Sequence, residues 1–219
     1  MSYEDDIQAP VGAVLFDLDG VIVDSTGTVA DIWRDWALRR DIDPERLIAF
    51  SHGRPTRETL KRFAPELDPI AEGLGLEREA VRRGAETIEG VAALYRALPD
   101  GARAVATSAS RETALARFEA AGLPLPRVLV TADDVAAGKP APDCYLLAAA
   151  LLDVPPADCI VVEDAPAGID AARGAGMRVI ALTTTHPAFE LVEADVCLGD
   201  PDDLTRVVER LRRSEPVGR

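Results

Sequence analysis

Short, strongly apolar segments recur along the chain, and they limit the folds open to it more than any other feature of the sequence. Five of these segments are rich in β-branched residues and contain few polar interruptions: VGAVLFD (11–17), ARAVATS (102–108), RVLVTADD (127–134), CIVVED (159–164) and RVIALTT (178–184). A weaker sixth is VCLGD (196–200). Runs of this length without regular polar alternation are typical of parallel strands covered on both faces.

Helical segments with recognisable ends lie between these runs. RETALARFEAAG follows a capping serine and ends on Gly122, and APAGIDAARGAG ends on Gly176. Glycine is common just after the last turn of a helix. Regular alternation of strand and helix predicts a doubly wound, Rossmann-like α/β fold with a parallel sheet.

The alternation is interrupted once, early in the chain. Residues 25–89 contain no strand-like run, and their apolar residues recur at helical spacing, as in TVADIWRDWALRR. A connection of this length is far longer than the dozen or so residues that a crossover between parallel strands needs. We therefore expect a core domain formed by residues 1–24 and 90–219, and an inserted α-helical cap domain formed by residues 25–89.

The first strand ends in a pair of acidic residues, Asp17 and Asp19, which are followed by Gly20. A calcium loop that begins with D-x-D requires its glycine at the sixth position and a glutamate at the twelfth, and this segment does not fit. Two solvated strand-end aspartates that cap a helix are a second alternative. Ligands of doubly wound folds bind at the carboxyl edge of the sheet. Two carboxylates held there require a compensating positive charge, and a divalent cation would supply it.

Four segments together resemble the motifs of the haloacid dehalogenase superfamily: FDLDGVIVDS (16–25), VATSAS (105–110), GKPAPD (138–143) and VVEDAPAGIDAARGAG (161–176). They occur in the family's order, follow predicted strand ends and cover nearly the whole chain. Members that carry the second aspartate are mostly Mg²⁺-dependent phosphatases and phosphomutases. By this resemblance the cap is the helical kind that is inserted after the first motif.

The resemblance implies a role for each matching acidic residue. Asp17 would attack phosphorus and form a phosphoaspartyl intermediate. Asp19 would protonate the leaving oxygen and then deprotonate the attacking water. Mg²⁺ would be held by the Asp17 carboxylate, the Asp19 backbone carbonyl and Asp164, and Glu163 would reach the metal through a water.

The same resemblance assigns the phosphate-binding residues. Thr107 and Ser108 would hold phosphate oxygens, and either of them could supply the hydroxyl. Lys139 would sit beside the nucleophile and the phosphate. Lys139 and Lys61 are the only lysines beside 22 arginines, so a compact ammonium at position 139 suggests a confined site; a surface lysine is the alternative.

A second segment of interest, SHGRPTRETL (51–60), lies between two predicted helices of the cap. It resembles the substrate loop of sugar and glycerol phosphatases. His52, Arg54 and Arg57 are therefore candidate substrate-binding residues. The alternative is that Arg57 lies on a solvated helix face and that His52 caps a turn. His186 is a weaker candidate than these three residues.

The leading hypothesis is a cytoplasmic, monomeric phosphatase that uses Mg²⁺ on a small phosphorylated sugar or polyol. A net charge of −14 disfavours nucleic-acid and anionic membrane partners. The acidic N-terminus does not read as a signal peptide, and the apolar run at 146–152 is too short to span a bilayer. A phosphomutase of the β-phosphoglucomutase type and a catalytically idle binding module remain alternatives. Asp19 disfavours a dehalogenase.

Overall fold

The computed structural model describes residues 11–24, 26–84 and 86–213. Residues 1–10 and the last six residues lie outside this range. The expected localisation depends in part on the acidic segment 1–10. No helix within the described residues is long and apolar enough to cross a membrane.

The described residues form eight β-strands and nine α-helices. The strands are β1 (Ala13–Phe16), β2 (Val23–Asp24), β3 (Glu86–Thr87), β4 (Arg103–Ala106), β5 (Leu129–Val130), β6 (Cys159–Glu163), β7 (Arg178–Leu182) and β8 (Val196–Leu198). The helices are α1 (Thr26–Leu38), α2 (Pro44–Ser51), α3 (Thr56–Phe63), α4 (Pro69–Arg83), α5 (Glu89–Ala97), α6 (Arg111–Ala120), α7 (Asp143–Leu152), α8 (Pro166–Gly174) and α9 (Asp203–Arg213).

Six strands form one parallel sheet in the order β5-β4-β1-β6-β7-β8. The first strand therefore lies in the middle, and the chain winds outward from it in both directions. This confirms the predicted doubly wound α/β fold. Because every strand of this sheet runs the same way, the residues that follow β1, β4 and β6 meet at one edge.

Both faces of the central sheet are buried, which explains the nearly unbroken apolar runs. Val14 and Phe16 of β1 belong to a core cluster that includes residues of α5, α6 and α9. Ala13 and Leu15 belong to a second cluster on the opposite face, with residues of α7 and α8. Since successive side chains of a strand point to opposite faces, each strand must be apolar at every position to fill both cores.

The helices α1 to α4 pack around a core of their own. Trp36 is almost wholly buried there, against Leu47 of α2 and Leu60 of α3. The start of α2 is set locally: the Asp43 carboxylate accepts hydrogen bonds from the backbone of Glu45 and Arg46. These helices therefore have an apolar cluster separate from those of the sheet, and the domain boundaries at residues 25 and 89 stay a prediction.

Two features differ from the sequence prediction. Strands β2 and β3 form a small antiparallel pair at the base of the inserted helices, and β3 lies within residues 25–89, where no strand was expected. The segment predicted as a strand over 127–134 contributes only two ladder residues, Leu129 and Val130. Two-residue strands are too short to show a period, so the sequence pattern gave no signal for the small pair.

Candidate active site

Asp17 occupies the carboxyl edge of the central strand. Its backbone N–H donates to the Val162 carbonyl of β6 (3.0 Å), so the residue continues the strand ladder by one position. Only 7% of Asp17 is exposed. Lys139 donates from its Nζ to Asp17 Oδ1 (2.5 Å), from a loop that precedes α7. The structure therefore brings the first and third motifs into direct contact.

Lys139 also joins this edge to the fourth motif. Its Nζ lies 2.6 Å from Glu163 Oε1, which accepts a further hydrogen bond from the Tyr145 hydroxyl (2.8 Å). The other oxygen, Glu163 Oε2, accepts from the backbone N–H groups of Asp164 and Ala165. Burial disfavours the charged form of Lys139, but Asp17 and Glu163 outweigh it and hold the pKa of the lysine well above its usual value. Lys139 is thus a protonated ammonium between two carboxylates.

Asp164 is buried directly after β6, at the same edge of the sheet as Asp17. Its Oδ2 accepts a hydrogen bond from the Thr185 hydroxyl (2.6 Å). Gly20 approaches from the turn after β1 with φ of +78°, and a Cβ there would lie 1.9 Å from Asp164 Oδ2. Only glycine combines this backbone conformation with such an approach. The D-x-D-G pattern therefore makes room for the acidic residue of the fourth motif.

The charges at this edge fit a divalent cation. Burial, opposed by Lys139, raises the pKa of Asp17 to about 7. Burial and then the neighbouring Glu163 and Asp17 raise the pKa of Asp164 well above its usual value. Asp17, Asp19, Glu163 and Asp164 face the cations Lys139 and Arg117 here, so the ionised edge carries an excess of two negative charges. A bound divalent cation would balance that excess.

The donors available for such a cation are few. Within the described residues, no three His, Cys, Asp or Glu side chains converge into a metal-binding group. The expected set contains only two side-chain carboxylates, those of Asp17 and Asp164, with the Asp19 backbone carbonyl. Hard oxygen donors of this kind suit Mg²⁺, which commonly keeps several waters. Both oxygens of Glu163 accept hydrogen bonds from protein groups, and its contact with the metal through a water stays a prediction.

The second motif supplies two hydroxyls to the same pocket. Thr107 is buried directly after β4, and its Oγ1 accepts a hydrogen bond from the Ala109 N–H (3.1 Å). Ser108 Oγ donates to the Gly53 carbonyl of the inserted helical region (3.0 Å). Both residues line the pocket that contains Asp17 and Asp164. The structure brings both hydroxyls to the site, so the choice between them as phosphate ligand stays open.

Arg117, which no motif singled out, also lies at the site. It occupies the buried face of α6 beside Ala114 and Phe118, and it forms an ion pair with Asp19. Burial lowers the pKa of Arg117 to about 10, against an opposing effect of Asp17, so the guanidinium stays charged at neutral pH. No local sequence pattern marks Arg117, because the apolar residues of α6 show little helical periodicity.

The cap segment 51–60 is divided between the pocket and the cap–core boundary. His52 and Arg54 line the pocket. His52 Nδ1 lies 3.3 Å from His186 Nε2, and the Arg54 guanidinium lies 4.9 Å from the centre of the Phe50 ring. Burial, with a smaller effect of His186, lowers the pKa of His52 to about 4. Arg57 lies elsewhere: its Nη1 donates to the Ala132 carbonyl of the core (3.1 Å).

One wall of the pocket is formed by helices α1 and α4 of the inserted region. This wall is largely apolar, and it was not predicted from the sequence. It is formed by Val29, Ile32 and Trp33 of α1 and by Leu76 and Ala80 of α4. One acidic residue, Glu77, stands among them and accepts hydrogen bonds from the hydroxyls of Ser110 and Thr113 at the start of α6. A ligand in this pocket would meet charged groups at one end and apolar side chains at the other.

Comparison with known proteins places this geometry in a family. The family model for haloacid dehalogenase-like hydrolases matches residues 11–176. Hexitol phosphatase A of Escherichia coli is 42% identical over 198 residues, which cover 87% of this chain and 92% of that protein. Glycerol-1-phosphate phosphohydrolase 2 of Saccharomyces cerevisiae is 38% identical over 189 residues, which cover 80% of this chain and 76% of that protein.

A solved structure shows the same overall arrangement. CbbY from Rhodobacter sphaeroides, in complex with phosphate, superposes with a TM-score of 0.73 at 28% identity. The alignment covers 89% of this chain and 96% of that one. The likeness therefore extends over both the sheet and the inserted helices.

Proposed function

The chain belongs to the haloacid dehalogenase-like hydrolases and is a phosphoric monoester hydrolase, and we propose that it removes phosphate from small phosphorylated sugars or polyols. The observation that carries this proposal is the contact of the buried Asp17 with Lys139, beside the hydroxyls of Thr107 and Ser108. Phosphoryl transfer to a carboxylate requires a carboxylate nucleophile, a fixed positive charge and hydroxyl groups that donate hydrogen bonds to the phosphate.

We assign the chemical steps to residues of this edge. The Asp17 carboxylate attacks phosphorus, a bond forms between its oxygen and phosphorus, and the bond to the leaving oxygen breaks. Asp19 gives its proton to that oxygen. Asp19 then takes a proton from a water whose oxygen attacks the phosphoaspartyl group, and this releases phosphate and restores Asp17.

Other residues hold the phosphate and the charge. Lys139 and the hydroxyl of Thr107 or Ser108 bind phosphate oxygens, and Glu163 with Tyr145 keeps Lys139 in place. Asp17, Asp164 and the Asp19 carbonyl would hold Mg²⁺. The ion would supply the positive charge that keeps Asp17 ionised and reduces its repulsion from the phosphate.

The names of two relatives and the residues that line the pocket support the proposed substrate class. Two relatives, which share more than a third of the aligned residues, are named for a hexitol and a glycerol phosphate. His52 and Arg54 can contact hydroxyls of a leaving group, and Trp33 offers an apolar face to its carbons. We assign Arg57 to the contact between cap and core, because its guanidinium donates to Ala132.

The test is a phosphate-release screen over sugar, polyol and nucleotide monophosphates, each with Mg²⁺ and with excess chelator. We expect release from hexitol or glycerol phosphates that requires Mg²⁺ and is lost in Asp17→Asn. Turnover in chelator would contradict the metal assignment, and a preference for nucleotides would contradict the substrate class. Interconversion of phosphate isomers without phosphate release would favour the phosphomutase alternative.

A further inference from the structure

Arg117 breaks the pattern of the helix that carries it. The face of α6 that points into the core is formed by Thr113, Ala114, Arg117 and Phe118. An arginine side chain in such a position is costly unless its charge is paired. Its partner is Asp19, whose side chain is 28% exposed towards the pocket while that of Arg117 is 8% exposed.

The backbone of Asp19 is fixed independently of this contact. The turn that follows β1 closes through Gly20 N–H to the Val23 carbonyl (2.7 Å) and Ile22 N–H to the Leu18 carbonyl (3.0 Å). These backbone bonds fix where the Cα of Asp19 lies and do not involve its carboxyl group. The guanidinium of Arg117, held by the packing of α6, selects one orientation of the carboxylate.

We infer that Arg117 is a positioning residue, which holds one oxygen of the Asp19 carboxyl group and thereby orients the other oxygen, which carries the proton, towards the leaving oxygen. This inference rests on the proposed function, because it takes Asp19 as the general acid and base. Through Asp19, Arg117 acts on the proton transfer. Misplacement of a catalytic group by about 1 Å costs up to about a hundredfold in rate.

A positioning role predicts a dependence on the leaving group that a structural role does not. A sugar or polyol oxygen is strongly basic and needs a proton as it departs, whereas para-nitrophenolate departs without one. The value of kcat/KM reports steps up to the departure of the leaving group. Loss of Arg117 should therefore lower kcat/KM for glycerol 1-phosphate or sorbitol 6-phosphate much more than for para-nitrophenyl phosphate.

The experiment compares Arg117→Met and Arg117→Lys with Arg111→Met, a matched change on the same helix at an exposed arginine that pairs with Asp134. We expect Arg117→Met to lower kcat/KM for the better polyol phosphate by about 10- to 100-fold, and for para-nitrophenyl phosphate by less than about threefold. Arg117→Lys keeps the charge and should recover part of the loss. Arg111→Met should leave both values unchanged.

A double-mutant cycle separates this inference from the proposed function. In an Asp19→Asn background, Arg117→Met should cause no further loss, because the group that it positions is gone. Equal losses on both substrates, no loss on either, or a full additional loss in the Asp19→Asn background would each overturn the inference. If Arg117→Met fails to fold, Arg117→Lys must show the same leaving-group dependence at smaller size. Polyol phosphatase activity retained by Asp19→Asn alone would instead overturn the proposed role of Asp19.

Discussion

Replacing Asp17 by asparagine should abolish turnover and, in the absence of metal, make the protein more stable. Asp17 is 7% exposed and lies near Glu163 and Asp164, so its ionised form is costly in the metal-free fold. The difference between an aspartate pKa of 3.8 and one of about 7 corresponds to about 4 kcal/mol. Asparagine keeps the shape and removes that cost, but the amide also loses the ion pair with Lys139. We therefore expect a gain of about 1 to 4 kcal/mol at pH 8.

The pH dependence follows from the sign of the shift. Asp17 has a higher pKa in the folded state than in the unfolded state, so the unfolded chain loses its proton first as the pH rises. The cost to stability is therefore absent below about pH 4, grows between about pH 4 and 7, and is complete above about pH 7. The advantage of Asp17→Asn should fall below about 1 kcal/mol near pH 4.

Thermal unfolding in excess chelator at pH 4, 6 and 8 measures this effect, with about 2 to 4 °C expected per kcal/mol for a chain of this size. Asp170→Asn, which removes an exposed carboxylate on α8, is the matched control. Added Mg²⁺ should stabilise the parent more than Asp17→Asn. A variant less stable than the parent at pH 8, or a difference independent of pH, would refute the reasoning, and residual phosphate release above a few per cent would refute the role of Asp17 as nucleophile.

Three further changes test other parts of the site. Lys139→Arg should lower kcat by about a hundredfold, because the planar guanidinium of arginine cannot replace a buried ammonium 2.5 Å from Asp17. The control Lys61→Arg, at an exposed lysine, should leave kcat unchanged. Equal kinetics of the two variants would contradict this prediction. Arg54→Ala should lower kcat/KM for the best polyol phosphate by about 10- to 100-fold and for para-nitrophenyl phosphate much less, and equal losses would mean that it serves the chemistry or the cap's stability. Gly20→Ala should lower the free energy of unfolding, measured in urea, by more than about 2 kcal/mol. The control Gly176→Ala has a similar φ but open space around the new Cβ, and it should lower this free energy by about 1 kcal/mol. Similar losses would show that the contact with Asp164 is unimportant.

The sequence predicts the sheet and the meeting of its motifs for one reason. Parallel strands end at the same edge, so Asp17 after β1, Thr107 after β4 and Asp164 after β6 must be neighbours once the strands are recognised. Lys139 lies in a loop, and its place came only from the family resemblance. Its direct contact with both Asp17 and Glu163 depends on side-chain orientation that no local pattern contains.

The residues missed by sequence reasoning share a different cause. Arg117 lies in a helix whose apolar and polar residues show little helical periodicity, so its burial could not be inferred from spacing. Glu77 is followed directly by Arg78 and Glu79 in α4, and nothing in that run of charged residues marks it as a pocket residue. Both positions are set by packing between elements that are distant in sequence. Helix α4 contacts α6 through hydrogen bonds from Ser110 and Thr113 to Glu77, and hydroxyl groups can form such bonds with many partners.

The contacts between cap and core explain why remote binding should affect the rate as well as affinity. Gly53 of the cap accepts a hydrogen bond from Ser108, which directly follows the buried Thr107. His52 contacts His186, whose Nδ1 lies 3.0 Å from the carbonyl oxygen of Asp164. The inserted helical region is therefore joined to the two strand ends that carry Thr107 and Asp164. Energy from contacts with the remote part of a substrate can stabilise this closed arrangement, so its loss should appear in kcat and not in KM alone.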